Sequence, residues 1–160
     1  MYFRFEITSI IRQYPALFYP LIKINNRVRG FDWPAYIKKD TEFVIEGYFR
    51  SGNTFAVRAF SVAQQRPIKL ANHTHAIATA LVAVNRNIPT LMLLRRPADT
   101  VISATMKHPH TTLRQHLRWY IRYYEKVYEL QDYLHIALFD EVIQNFGNVI
   151  KNSLRKPTFI

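Results

Sequence analysis

The sequence predicts an α/β fold in which a central parallel sheet is flanked by helices on both faces. Three observations carry that expectation. From Phe43 onward, short apolar runs alternate with apolar residues at helical spacing, in the order β-α-β-α-β-α-α-β-α. Prolines and small polar clusters punctuate the alternation. The 160 residues, 49% hydrophobic and 14% aromatic, are enough for one sizeable core.

Residues 1–40 read as an irregular extension, broken at Pro15, Pro20, Gly30 and Pro34, that packs on a domain formed by residues 41–160. Phe43–Tyr48 is the first strand, followed by a helix over Asn53–Gln64. Pro67–Asn72 is a second strand. Ile77, Ala80, Leu81 and Val84 then recur at helical spacing up to Asn87, and Pro89 ends that pattern. Thr90–Leu94 is the most strand-like segment, and Pro97 suits the first turn of a helix ending near Met106. After a Lys107–His110 loop, Leu113, Leu117, Tyr120, Ile121, Tyr124 and Tyr128 mark one face of a long amphipathic helix. His135–Phe139 is the fourth strand, and Val142, Phe146, Val149 and Ile150 belong to a last helix.

No cysteine is present, which excludes disulfides, thiolate metal sites and cysteine nucleophiles. That absence suits a cytoplasmic protein, as does an N-terminus without the layout of a secretory signal. The longest apolar stretch, near Ile10–Ile24, is interrupted by Arg12, Pro15, Pro20 and Lys23 and cannot span a bilayer. A net charge of +11 calls for an acidic partner: nucleic acid, anionic lipid, sulfated sugar or a phosphorylated nucleotide. The aromatic, apolar and basic segment Ile10–Val28 can pack on the domain or make a peripheral membrane contact.

Ligands of parallel sheets bind at the carboxyl ends of the strands, where three polar clusters fall. The first is Arg50-Ser51-Gly52-Asn53-Thr54, between a strand and a helix. Backbone N–H groups at a helix start face an anion, and the dipole favours negative charge there. Gly-Lys-Ser/Thr is absent, so the lysine and Mg²⁺-binding hydroxyl of the nucleoside-triphosphatase loop are missing. The second cluster, Asn72-His73-Thr74-His75, sets two histidines on one side of an extended end. A histidine with an unperturbed pKa of about 6.5 suits proton abstraction from a hydroxyl. A metal pair without a fixed third ligand and a structural cap are the other readings of this cluster. In the third, Arg95 closes a strand and Ser103 follows two helical turns later, a pair able to hold a phosphate. Asp99 is a helix-dipole partner or a brace for an arginine.

The long helix interleaves Arg114, Arg118, Trp119, Arg122, Tyr123 and Lys126, a pattern open to a nucleic-acid surface, a solvated face or the wall of an acceptor site. No nucleic-acid motif accompanies it, and nucleic acid ranks behind a small-molecule partner. His108, His110, His116 and His135 are explained by loop and helix-surface positions.

Together, Arg50-Ser51-Gly52-Asn53-Thr54-Phe55 and Arg95-x-Pro97-x-Asp99-x-x-x-Ser103 resemble the two motifs of sulfotransferases that use 3′-phosphoadenosine 5′-phosphosulfate (PAPS). The resemblance runs from about Phe43 to Ile150 and is closest to the compact bacterial branch. It implies a P-loop-like three-layer fold and in-line sulfuryl transfer from PAPS, without metal, to a hydroxyl or amine of a small-molecule, sugar or lipid acceptor. By this resemblance Arg50 contacts the sulfate, Ser51, Gly52, Asn53 and Thr54 the 5′-phosphate, and Phe55 lies near adenine. Arg95 and Ser103 take the 3′-phosphate, and Phe139 stands at the family's aromatic strand-end position. His75 falls on the general base and His73 on a charge-stabilising lysine, with His73 a rival for the base.

Two departures accompany the resemblance. Phe49 replaces a proline. A downstream Arg-Lys-Gly segment is missing, and Arg155-Lys156-Pro157 is a poor substitute. A minimal enzyme, a truncated one and a degenerate binder of the nucleotide all remain open. A kinase is disfavoured by the missing lysine, and a basic module for nucleic acid or membrane rests on charge and the N-terminal stretch.

Overall fold

The computed structural model describes residues 2–31 and 35–153. Four strands, β1 (Phe43–Gly47), β2 (Leu70–Asn72), β3 (Thr90–Leu94) and β4 (His135–Leu138), form one sheet in the order β2-β1-β3-β4. Every pairing is parallel, so each connection crosses the sheet and the expected α/β architecture holds. β1 is an inner strand, and all five of its residues are buried. A strand covered on both faces loses the polar–apolar alternation of a half-exposed one, which is why it reads as a continuous apolar run.

The pleat divides the core. Phe43, Ile45, Leu91 and Leu93 face α3 (Asn53–Ala63), α7 (Phe139–Gln144) and α8 (Phe146–Ser153) through Ala56, Phe60, Val142 and Val149. The Phe43 and Phe60 rings stack at 4.8 Å. On the other face, Met92 packs with residues of α4 (Ile77–Asn85), α5 (Pro97–Lys107) and α6 (Leu113–Glu129). A capping box starts α6: Thr112 N donates to Gln115 Oε1 at 2.7 Å, and Gln115 N donates to Thr112 Oγ1 at 3.3 Å.

Three expectations are corrected. The N-terminal stretch is irregular only after Gly30: before it lie α1 (Tyr2–Ile11) and α2 (Pro15–Arg29), while Pro34 lies outside the described residues. Pro15 occupies the first turn, where its missing N–H costs nothing, and Gly30 ends the helix at φ 73°. Pro20 lies inside α2 and carries a penalty of about 3 kcal/mol. Burial of Phe18 and Ile22 against Ala76 and Ala78 offsets it. Second, the buried face of α6 is Trp119, Tyr120, Tyr123 and Val127, together with Gln115 and His116, whereas Leu113, Leu117, Ile121 and Tyr128 are exposed. Inward His116, Tyr120 and Tyr123 carry polar tips that find partners inside, so aliphatic spacing points to the wrong face. Third, the last helix is two, divided at Asn145, and β2 begins only at Leu70. Arg155-Lys156-Pro157 lies outside the described residues.

Gly47 closes β1 where β3 leaves no room. A Cβ there would sit 2.7 Å from the Leu93 carbonyl oxygen and 3.0 Å from Leu93 Cβ. Gly47→Ala is therefore expected to lower stability by about 1–3 kcal/mol in urea unfolding. An unchanged midpoint would mean that the ends of β1 and β3 part without cost.

Candidate active site

The turn leaving β1 is held in an uncommon backbone shape. Arg50 sits at φ 67° and Gly52 at φ 93°, while α3 begins at Asn53. Such left-handed residues curl successive N–H groups towards one point. The N–H groups of Asn53, Thr54 and Phe55 have no hydrogen-bond partner among the described residues, as expected of a first helical turn. Gly52 is required twice, by its φ and by the Phe139 ring, whose nearest carbons lie 2.9 Å from where a Cβ would stand.

The two arginine segments meet. Arg50 Nε donates to Ser103 Oγ at 2.9 Å, and Arg95 Nη1 donates to the Arg50 carbonyl at 3.1 Å. The Arg95 guanidinium lies over the Phe139 ring, 4.5 Å from its centroid. Arg50, Gly52, Arg95, Ser103 and Phe139 thus form one cluster at the carboxyl ends of β1 and β3. Ser51 is buried, with Oγ 3.2 Å from the Tyr124 hydroxyl. Asn53 is also buried, and among the described residues neither polar atom of its amide has a partner; nor does the buried Arg95 Nε. Phe55 is 45% exposed and meets Phe146 edge-on at 6.4 Å. Asp99 lies exposed in the first turn of α5, which fits the dipole reading.

Two tyrosines of α6, which sequence reasoning treated only as core, fix this cluster. The Tyr124 hydroxyl donates to the Leu93 carbonyl at 2.6 Å and accepts from Tyr48 N at 3.3 Å. The Tyr120 hydroxyl donates to the Arg95 carbonyl at 2.7 Å. Burial pushes the Tyr124 phenol well up and the Tyr120 phenol up to about 12, so both remain hydroxyl donors.

Both histidines of the second cluster have left-handed backbones, His73 at φ 59° and His75 at φ 49°. A residue missed by sequence reasoning holds them there. Glu46, fully buried in β1, accepts from Thr74 N and Thr74 Oγ1, each at 2.7 Å, and from His75 N at 3.1 Å. Its signal was a lone carboxylate in an otherwise apolar strand. Burial pushes the Glu46 carboxyl up to about 7, against the pull of these donors.

His75 Nδ1 is 2.8 Å from the Gly47 carbonyl. A carbonyl only accepts, so the proton is on Nδ1 and Nε2 carries the lone pair. Nε2 has no hydrogen-bond partner among the described residues. His73 is engaged at both nitrogens: Nε2 is 3.1 Å from Thr54 Oγ1, and Nδ1 is 2.6 Å from Asn72 Oδ1. Burial, with Arg12 and His73 nearby, pushes the His75 pKa down to about 3, far from the ordinary value on which the sequence argument rested.

His75 lines a cavity of about 540 Å³ between α1, the β1 turn and α6. Its walls are chiefly aromatic, with Tyr48, Phe49, Trp119 and Tyr123, and among the described residues no carboxylate lines it. Phe49, in the place of the expected proline, packs on the His75 ring at 4.5 Å and under the Arg12 guanidinium at 4.9 Å. Of the histidines explained by loop and helix-surface positions, one is corrected. His108 and His110 lie in the loop after α5, as expected, and line the cavity. His116 is buried, with Nδ1 3.2 Å from the Tyr48 hydroxyl and Nε2 2.8 Å from Thr111 Oγ1. Among the described residues, no three His, Asp or Glu side chains gather to hold a metal ion.

No protein-family model, curated protein or solved structure matches this chain.

Glu46→Gln keeps the shape but turns an acceptor into a donor, and should cost about 1–3 kcal/mol in urea unfolding. A variant as stable as the parent would mean that the histidine turn holds itself. The same variant alters the pH dependence. His75 titrates near 3 when folded and at its ordinary 6.5 when unfolded, so its contribution is lost as pH falls from 6.5 towards 3. Glu46 works oppositely: raised from 4.5 to about 7, it favours the folded state most below 4.5 and less as pH rises through 7. Removing it should steepen the acid-side loss between 4.5 and 6.5, read from unfolding midpoints across pH. A slope equal to the parent's would count against a raised Glu46.

Proposed function

We propose that this chain binds PAPS in a P-loop-like site and transfers its sulfuryl group to a hydroxyl or amine acceptor. The observation that carries this reading is the hydrogen-bonded closure of Arg50 on Ser103 and of Arg95 on Arg50. Segments 45 and 53 residues apart, each suited to a phosphate, share one anion site. The buried donors Arg95 Nε and Asn53 Nδ2, without partners among the described residues, fit an anionic ligand.

In this reading the free N–H groups of Asn53, Thr54 and Phe55 and the Arg50 guanidinium hold the phosphosulfate, while Arg95 and Ser103 hold the 3′-phosphate. The donor, when bound, supplies the activated sulfuryl group. The aromatic cavity receives the acceptor, and His75 Nε2 accepts the proton of its hydroxyl. Nδ1–H, fixed on the Gly47 carbonyl, keeps the ring oriented for that task. An anion beside the ring raises its pKa from the low resting value and strengthens it as a base. Preorganised cations and N–H groups stabilise the charge on the departing phosphate without reorganisation.

A binder without turnover is the second reading, and the His75 pKa of about 3 favours it, because such a nitrogen is a weak base. Calorimetry with phosphoadenosine 5′-phosphate at low salt should give saturable binding; its absence would sink both readings. Transfer from labelled PAPS to a panel of phenols, sugars, lipids and amines separates them. Arg50→Ala should abolish transfer. His75→Ala should lower it by about a hundredfold or more while sparing nucleotide binding. If His73→Ala alone does so, the base is His73.

A further inference from the structure

One face of the N-terminal helices is covered and the opposite one is not. On α2, Phe18, Ile22 and Asn26 are buried towards α4, whereas Leu17, Leu21, Ile24 and Val28 are exposed, Val28 by 81%. Their spacing of four, three and four aligns them in a single stripe along the helix. Ile7 and Ile10 of α1 are exposed as well. Tyr14 and Phe31, both exposed, stand at the two ends of α2, where aromatic rings anchor a helix at a membrane interface. Lys23, Arg27 and Arg29 are exposed on the same helix, and residues 7–31 contain neither Asp nor Glu.

We propose that residues 7–31 dock the protein on the surface of an anionic lipid bilayer, with α2 lying in the interfacial plane. The stripe needs a hydrocarbon environment and the cations need phosphates; an anionic bilayer surface offers both in adjacent layers. Charge decides against a second copy of the chain as the occupant. Two such stripes face to face would pair two copies of a segment that carries Lys23, Arg27 and Arg29 and no carboxylate to balance them. The seam is also interrupted, because Tyr14 is extended at φ −113°, ψ 112°. Among the described residues no helix is long and apolar enough to cross the membrane, so the contact is peripheral.

This docking is independent of the donor nucleotide and of transfer. Co-sedimentation of the whole chain with phosphatidylglycerol-rich vesicles should exceed that with pure phosphatidylcholine vesicles by about tenfold, and raised salt should reduce it. Ile24→Asp with Val28→Asp should abolish the association, and Lys23→Glu with Arg27→Glu should weaken it about as strongly as raised salt. These side chains are exposed, so circular dichroism melts of the variants should match the parent. Equal association with both vesicle types, or none with either, would overturn the proposal. So would a concentration-dependent dimer in analytical ultracentrifugation that Ile24→Asp with Val28→Asp dissolves, because the stripe would then belong to a second copy.

Discussion

A single buried carboxylate organises one side of the site. Glu46 lies in an inner strand with no solvent access, and its hydrogen bonds run forward 28 and 29 residues to Thr74 and His75. Two consecutive N–H groups and a hydroxyl converge on it, and that convergence forces the chain through two left-handed histidines. Each such residue costs about 1–3 kcal/mol when it is not glycine. A carboxylate without those donors would be too costly to bury, and the turn without the carboxylate would relax. Neither half is stable alone. The tautomer of His75, set by the Gly47 carbonyl, is a downstream result of the same arrangement.

The other side of the site depends on α6. Tyr120 and Tyr124, four residues apart on one helical face, reach the carbonyls of Arg95 and Leu93 and the turn after β1. A phenol suits this task because its ring contributes to the core while its hydroxyl satisfies backbone groups left open where strands end. The helix is therefore both a layer of the fold and a clamp that keeps the two arginine segments in register. Phe49 joins this side to the first, packing between the arginine turn, Arg12 and His75.

Much of this was legible in the sequence because it is local. Strands and helices from Phe43 to Leu138 follow from periodicity and from breakers such as Pro89 and Pro97, and the meeting of Arg50 with Ser103 follows from strand ends in a parallel sheet. The errors share a different origin. Two prolines concealed α2, because packing of Phe18 and Ile22 on α4 outweighs a local penalty. The face of α6 was misread because His116 and Gln115 are buried with partners supplied by Tyr48, Thr111 and Thr112, which hydropathy does not register. Glu46 was passed over for the same reason: its partners lie in another strand's terminus. Position in the sequence reveals what a residue prefers, while burial of a polar group depends on who meets it.

The strand order has a consequence for how the protein is made. β1 occupies the interior of the sheet although it is the first strand in the chain, and both of its neighbours come later. A polypeptide emerging from the ribosome thus presents an inner strand, with Glu46 inside it, before either of its neighbouring strands is made. By residue 112 the nascent chain already carries Arg50, His73, His75, Arg95 and Ser103. It still lacks both tyrosines that hold those segments together. Every cation of the arginine cluster is synthesised before its clamp, and the cluster closes only when α6 has left the exit tunnel.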